Sequence, residues 1–185
     1  MVKTAIAFVD GENLVGRYQE MAATRKRRVE VSHFQDAFVW SPQITLWTYM
    51  DLIRVNYYTS LVGTDEKVRA IEQEMAGTTY SCKVSDAGLS GTAKLIPRVH
   101  KRLASSRKSK VVDVDITLDV MRAALETSIG AIFLLSGDGD YLPLVREVSR
   151  RTAKQVYLGA FSSGLSETLR DNVEAFVLLD AMFFE

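Results

Sequence analysis

Cysteine is nearly absent from this chain: Cys82 is the only one in 185 residues. A lone thiol excludes an internal disulfide, so the fold rests on core burial and suits a reducing cytosol. Cys82 lies in an apolar-alternating stretch and reads as a small core residue, not a nucleophile. Net charge is absent too, because 23 basic residues balance 23 acidic ones. The total names no partner, so any electrostatic signal must lie in the distribution. No apolar run approaches the roughly 20 residues a helix needs to cross a bilayer. Met1-Val2-Lys3 leads into a strand and not into a signal peptide, which makes a soluble, cytoplasmic protein with no membrane partner the expectation. Histidine is scarce, with only His33 and His100. His33 has no motif around it, and no serine, cysteine or histidine constellation points to a covalent intermediate. Internal repeats, low-complexity tracts and linkers are also missing. A chain of 185 residues, 47% of them hydrophobic, fits a single domain over 1–185 with a full core.

What is present is an alternation of short apolar runs and helical segments. Thr4 to Val9, Ile53 to Thr59, Thr78 to Val84, Ala131 to Leu135, Gln155 to Gly159 and Phe176 to Leu179 read as strands. Asn13 to Ala23, Ser41 to Asp51, Gly63 to Gly77, Val114 to Glu126, Tyr141 to Arg151 and Leu165 to Val173 read as helices. Pro42 is tolerated at a first helical position, Thr64 is a cap with acids behind it, and Gly77 is a natural stop. Val29 to Val31 and Phe38 to Trp40 are candidate short strands. Arg25 to Arg28 and Gly88 to Gly91 read as loops, and Lys94 to Lys110 as a strongly basic, partly helical segment. Strands alternating with helices predict a mainly parallel sheet covered on both faces. Sites in such sheets gather at the carboxyl ends of the strands, where the winding reverses.

Two of the apolar runs end in aspartates: Phe8-Val9-Asp10-Gly11-Glu12-Asn13 and Leu135-Ser136-Gly137-Asp138-Gly139-Asp140. Carboxylates there are costly unless something binds them. With the two strands side by side, Asp10, Asp138 and Asp140 crowd one spot, and like charges that close demand a cation or raised pKa values. The simplest resident is a hard divalent metal with oxygen ligands. A third acidic group is Asp113, Asp115 and Asp119. Asp115 and Asp119 share one helix face. Asp113 stands at the helix start, where it also suits a cap. Asp119 lies in an apolar pattern and needs a cation or donors. Asn13 is placed to orient Asp10 or to hold a metal-bound water.

These motifs resemble a NYN domain of the PIN-like nuclease superfamily, closest to its bacterial LabA-like branch. The resemblance rests on Phe8-Val9-Asp10-Gly11-Glu12-Asn13-Leu14, on Lys110-Val111-Val112-Asp113-Val114-Asp115-Ile116 with Asp119, and on Leu135 to Val145. Val156 to Phe161, Leu165-Ser166 and Leu169-Arg170 fit as well. Val111 departs from it, standing where many relatives carry glycine. The resemblance implies a PIN-like, Rossmannoid three-layer α/β/α sandwich and a Mg²⁺- or Mn²⁺-dependent ribonuclease site. It carries catalytic roles onto Asp10, Asn13, Asp113, Asp138 and Asp140. The metal ligands it implies are Asp10, Asp113, Asp119, Asp138 and Asp140, with Ser136 and Asp115 in support.

From Ala87 to Val112 there is no acid, while Lys94, Arg98, Lys101, Arg102, Arg107, Lys108 and Lys110 are all basic. A basic track feeding an acidic metal site suits a phosphodiester: cations hold the backbone and the metal sits at the scissile phosphate. Arg25 to Arg28 are placed to extend the track or to be a solvated surface run, and His100 reads as a phosphate contact or surface residue. Tyr57, Tyr58 and Trp47 read as core, with one of them free to stack on a base. The expectation is a metal-dependent ribonuclease, an endonuclease, acting on single-stranded or structured RNA. Two rivals stand beside it. One is an RNA-binding or regulatory module with little turnover. The other is a small-molecule phosphohydrolase with Asp10 as nucleophile, which fits Glu12 loosely and leaves the basic run unexplained. The apolar end Ala181 to Phe184 either packs on the core or seals a homodimer.

Overall fold

In the computed structural model, residues 4–46, 51–83, 90–103 and 110–185 are described. Six strands form one sheet: β1 (Thr4–Asp10), β4 (Asp51–Leu61), β7 (Ile96–Lys101), β8 (Ala131–Leu135), β9 (Gln155–Ala160) and β10 (Ala175–Leu178). Their order is β10-β9-β8-β1-β4-β7, and every neighbouring pair is parallel. Two small antiparallel ribbons flank it, β2 (Ser32–Phe34) with β3 (Phe38–Trp40) and β5 (Thr79–Lys83) with β6 (Ser90–Lys94). The helices are α1 (Gly11–Ala22), α2 (Gln43–Leu46), α3 (Asp65–Gly77), α4 (Lys110–Leu125), α5 (Leu142–Arg151), α6 (Glu167–Arg170) and α7 (Asp180–Phe183).

The central strands are apolar on both faces because helices cover both. Ala5, Ala7 and Val9 of β1 join Leu14, Tyr18 and Met75 in one core, on the side of α1 and α3. Ile6 and Phe8 join Val112, Ile116, Val145 and Val148 in the other, on the side of α4 and α5. The result is the expected three-layer α/β/α arrangement. Strand alternation then puts Asp10 on the α4 face. The chain winds outward from β1 to β4 and β7, then returns to lay β8, β9 and β10 on the other side. The switch of direction falls between β1 and β8, whose ends pair as Val9 with Leu135.

Several local expectations are corrected. Lys94 to Lys110 is not helical over its first part: Ile96–Lys101 is a strand paired with β4, and α4 starts at Lys110, four residues before Val114. The isoleucine, valine and proline there suit an edge strand. Val29 is 97% exposed and in no strand; the ribbon forms instead from Ser32, turning at Asp36 with φ 55°. The helix after Pro42 spans only Gln43–Leu46 among the described residues, and β4 already begins at Asp51. Gly91 lies in β6 and not in a loop. The segment Leu165 to Val173 holds one helical turn, Glu167–Arg170. Val84, Gly88 and Trp47 lie outside the described residues.

The basic patch Arg25 to Arg28 holds the chain end. Arg25 pairs with Asp180 at 3.1 Å, Lys26 pairs with Glu185, and Arg28 Nε donates to the Ala181 carbonyl at 2.8 Å. The anchored residues Met182, Phe183 and Phe184 are buried in the core of their own chain. That apolar end therefore offers no seal for a homodimer, and the patch is occupied with the chain terminus.

Candidate metal centre

β1 ends on Asp10 and α1 begins at the next residue, so one carboxylate closes the strand and caps the helix. Asp10 Oδ1 accepts from the Asn13 amide at 3.1 Å, meeting one of the orphan donors of the first turn. Oδ2 accepts from Ser136 Oγ at 2.9 Å. The side chain is completely buried, and the positive end of α1 favours its charge. Asn13 reaches across to the other strand end, its Oδ1 accepting from Gly137 N at 3.0 Å. The Ser136 hydroxyl also accepts from Asp138 N at 3.1 Å. Asp138 Oδ1 in turn accepts from Asp140 N at 3.0 Å and caps the 3₁₀ turn Gly139–Tyr141.

Two glycines permit this close join. A Cβ on Gly11 would overlap the Tyr57 ring and lie 2.6 Å from the Tyr58 carbonyl oxygen. One on Gly137 would lie 2.8 Å from the Gly164 carbonyl oxygen. The Ser166 amide donates to the Gly137 carbonyl at 2.9 Å, so residues 164–166 brace the aspartate loop.

Asp113 comes from the first turn of α4. Its Oδ1 accepts from the hydroxyl of Tyr141 at 3.2 Å. Tyr141 is only 3% exposed. Burial pushes its phenol far up, and the charges of Asp10, Asp113 and Asp138 push it further. Tyr141 thus stays a donor, bonded to Asp113 of α4 and in the field of the carboxylates from β1 and the loop after β8. Asp140 is exposed at the rim. The available donors are oxygens, which suit Mg²⁺ or Mn²⁺ over a softer metal, and the negative field at Tyr141 is what a cation would relieve. Among the described residues, no three His, Cys, Asp or Glu side chains form a group that could hold a metal ion.

Asp119 and Asp115 stand elsewhere. Asp119 lies roughly 9 Å further along α4 than Asp113. Its Oδ2 accepts from Tyr58 at 2.8 Å and its Oδ1 from Arg122 at 2.9 Å. The need for donors is thus met by a phenol and a guanidinium. Burial raises the Tyr58 phenol strongly, and the bond to Asp119 adds to it. Asp115 Oδ2 lies 2.8 Å from His100 Nε2, an ion-pair distance though off the line of a hydrogen bond.

Among the described residues, the basic run is divided between different partners and faces. Arg98 faces α4, in line with Tyr58. Lys101 pairs with Asp65 of α3 at 2.7 Å. Arg102 lines a cavity of about 150 Å³ with Glu12, Gln19, Asp36 and Ser60. Lys94 and Lys110 are exposed, and Arg107 and Lys108 lie outside the described residues. Tyr57 is core, its hydroxyl accepting from Val39 N at 3.1 Å and donating to Val39 O at 3.2 Å.

Sequence reasoning passed over the Tyr141 hydroxyl, the Tyr58–Asp119 bond and Arg54 and Arg122. Tyr141 directly follows the aspartate loop, which was signal enough to include it. The alternation Arg54, Asn56, Tyr58 was the signal for the second.

A family model described as NYN domain matches residues 3–180. No curated protein sequence matches the chain. Among solved structures, the chain is similar to a protein of unknown function from Vibrio parahaemolyticus, at 22% sequence identity and TM-score 0.63. That alignment covers 100% of this chain and 97% of the other. At this identity the likeness is one of fold.

Proposed function

The chain belongs to the NYN domain family, whose members are typically ribonuclease-like, and from that premise we propose that it is a divalent-metal-dependent ribonuclease, an endonuclease, hydrolysing RNA through its aspartates. The observation that supports the proposal is the geometry at the switch point of the sheet, where Ser136 joins Asp10 to the Asp138 loop and the buried Tyr141 after that loop bonds Asp113. Asp10, Asp113 and Asp138 would hold Mg²⁺ or Mn²⁺, with Asp140 at the rim. Such an ion supplies Lewis acidity at the phosphate and a nucleophile at neutral pH.

The chain's own residues supply the rest. Ser136 and the Asn13 amide hold Asp10 fixed in direction. Asn13 ties the start of α1 to Gly137, joining the two strand ends. Tyr141 orients Asp113 while keeping its own proton. RNA with accessible phosphates is the partner that acidic strand ends with arginines on the neighbouring strands suit. The free thiol of Cys82 is compatible with a cytoplasmic setting.

Labelled RNA incubated with micromolar protein and Mn²⁺ tests the proposal. Cleavage that EDTA and Asp10→Asn both abolish is expected, with 5′-phosphate and 3′-hydroxyl ends by mass spectrometry. A single 2′-deoxy nucleotide at the cut should still be cleaved. Cyclic-phosphate products that survive EDTA would overturn it. The second reading, an RNA-binding module with little turnover, is favoured by one observation: both Asp10 oxygens already accept hydrogen bonds.

A further inference from the structure

β4 and β7 form one edge of the sheet, and on their α4 face a polar ladder runs along the strands. Arg54, Asn56 and Tyr58 alternate on β4, opposite Ile6, Phe8 and Asp10 of β1. Tyr58 in turn pairs with Arg98 of β7. Asp10, Tyr58 and Arg98 therefore stand in one row across three strands, which sets Arg98 roughly 10 Å from the Asp10 strand. Between this ladder and α4 lies a cavity of about 210 Å³, into which Arg54, Arg98 and Arg122 converge from three elements.

The charges there are not balanced by their neighbours. Asp119 also lines the cavity, but its oxygens are committed to Tyr58 and Arg122. Glu126, the residue after α4, lines the cavity as well, so three guanidiniums there face two carboxylates. Among the described residues neither Arg54 nor Arg98 has an ion-pair partner. Both are exposed at the mouth. Two unpaired guanidiniums over a floor of Ile6, Phe8 and Asn56 suit the planar, two-point recognition of a phosphate.

We propose that this cleft is a phosphate subsite that grips the single-stranded RNA backbone on the β7 side of the cut, through Arg54 and Arg98. The proposal takes its substrate class from the ribonuclease reading and adds the direction in which the strand leaves Asp10. Tyr58 and Asp119 position Arg122 and separate the subsite from the acidic centre, so that phosphate-binding and metal-binding charges do not cancel.

Affinity for a labelled single-stranded RNA is measured in EDTA, where nothing is cleaved, over a series of salt concentrations. For the double variant Arg54→Gln/Arg98→Gln the log–log salt slope should fall by about 1.4, about 0.7 for each lost contact. Arg69→Gln, on α3 across the sheet, should leave the slope where it was. Both altered arginines are exposed, so unchanged melting temperatures are expected. A double variant no different from Arg69→Gln overturns the subsite, as does a wild-type protein with no measurable affinity for RNA. Cleavage in Mn²⁺ is scored separately. Binding that shows the slope loss, from a wild-type protein that cuts nothing, leaves the subsite standing and removes the ribonuclease reading.

Discussion

A buried carboxylate is tolerated only when its oxygens are met by donors or a cation, and Asp10 has donors from both joined segments, α1 and the loop after β8. Asp138 differs, because it is half-buried and its charge adds to those of Asp10 and Asp113 at Tyr141. Asp138→Asn removes one repulsive charge. Its melting temperature without metal should hold or rise, while the stabilisation by Mn²⁺ should shrink; an undiminished Mn²⁺ shift removes Asp138 from the ligands. Tyr141→Phe takes away only a hydroxyl. A loss of roughly 1 kcal/mol is expected in denaturant unfolding. More Mn²⁺ should also be needed for half-maximal cleavage, since Asp113 loses the donor that orients it. A requirement equal to wild type would make Tyr141 a packing residue alone.

At the scale of elements, the site depends on how closely the loop after β8 approaches the loop before α6. Gly137→Ala sets a methyl 2.8 Å from a backbone carbonyl that cannot rotate away. Destabilisation of about 1–3 kcal/mol is expected, together with a displaced Asp138 and weaker cleavage. Gly16, inside α1, has open space where its Cβ would stand. Gly16→Ala should therefore stabilise by about 0.5–1 kcal/mol in the same assay, since alanine is the better helix former. If both glycines respond alike, helix propensity and not close approach governs the loop.

For the whole molecule, the chain end closes the α1 face of the core. Phe183 packs on Tyr18 and Phe161, with centroids 5.9 and 4.9 Å away. Phe183→Ala should cost about 3–5 kcal/mol by chemical denaturation. Asp180 holds the same segment. Burial opposes its charge, yet the Ser162 hydroxyl and amide and the Arg25 guanidinium hold the carboxyl below its usual range. A carboxyl depressed by folding contributes stability that is present above its unfolded pKa, near 3.9, and is lost as pH falls through its folded value. The acid limb of the stability profile should thus be shallower in Asp180→Asn than in wild type, by melting temperature against pH. Burial and Arg27 lower His33 as well, so His33→Gln should flatten the profile just below about pH 6.5.

The alternation of apolar runs and helices, and the aspartates at the ends of two of those runs, were legible from residues alone. Short apolar runs bounded by glycines and turn residues read as buried strands, and the carboxylates that follow them then lie at strand ends. That β1 and β8 are neighbours is the condition for their aspartates to meet, and it is seen in their register. What tertiary structure decided was the partner of each remaining charge. A strand sends successive side chains to opposite faces, so the basic run that is continuous in sequence is divided in space. Arg98 turns to α4, Lys101 meets Asp65, and Arg102 faces Glu12 and Ser60. Asp119 meets Tyr58, and Arg25 meets Asp180, across separations of 61 and 155 residues. Local pattern determines which face a residue takes, but only the folded sheet determines what stands opposite it.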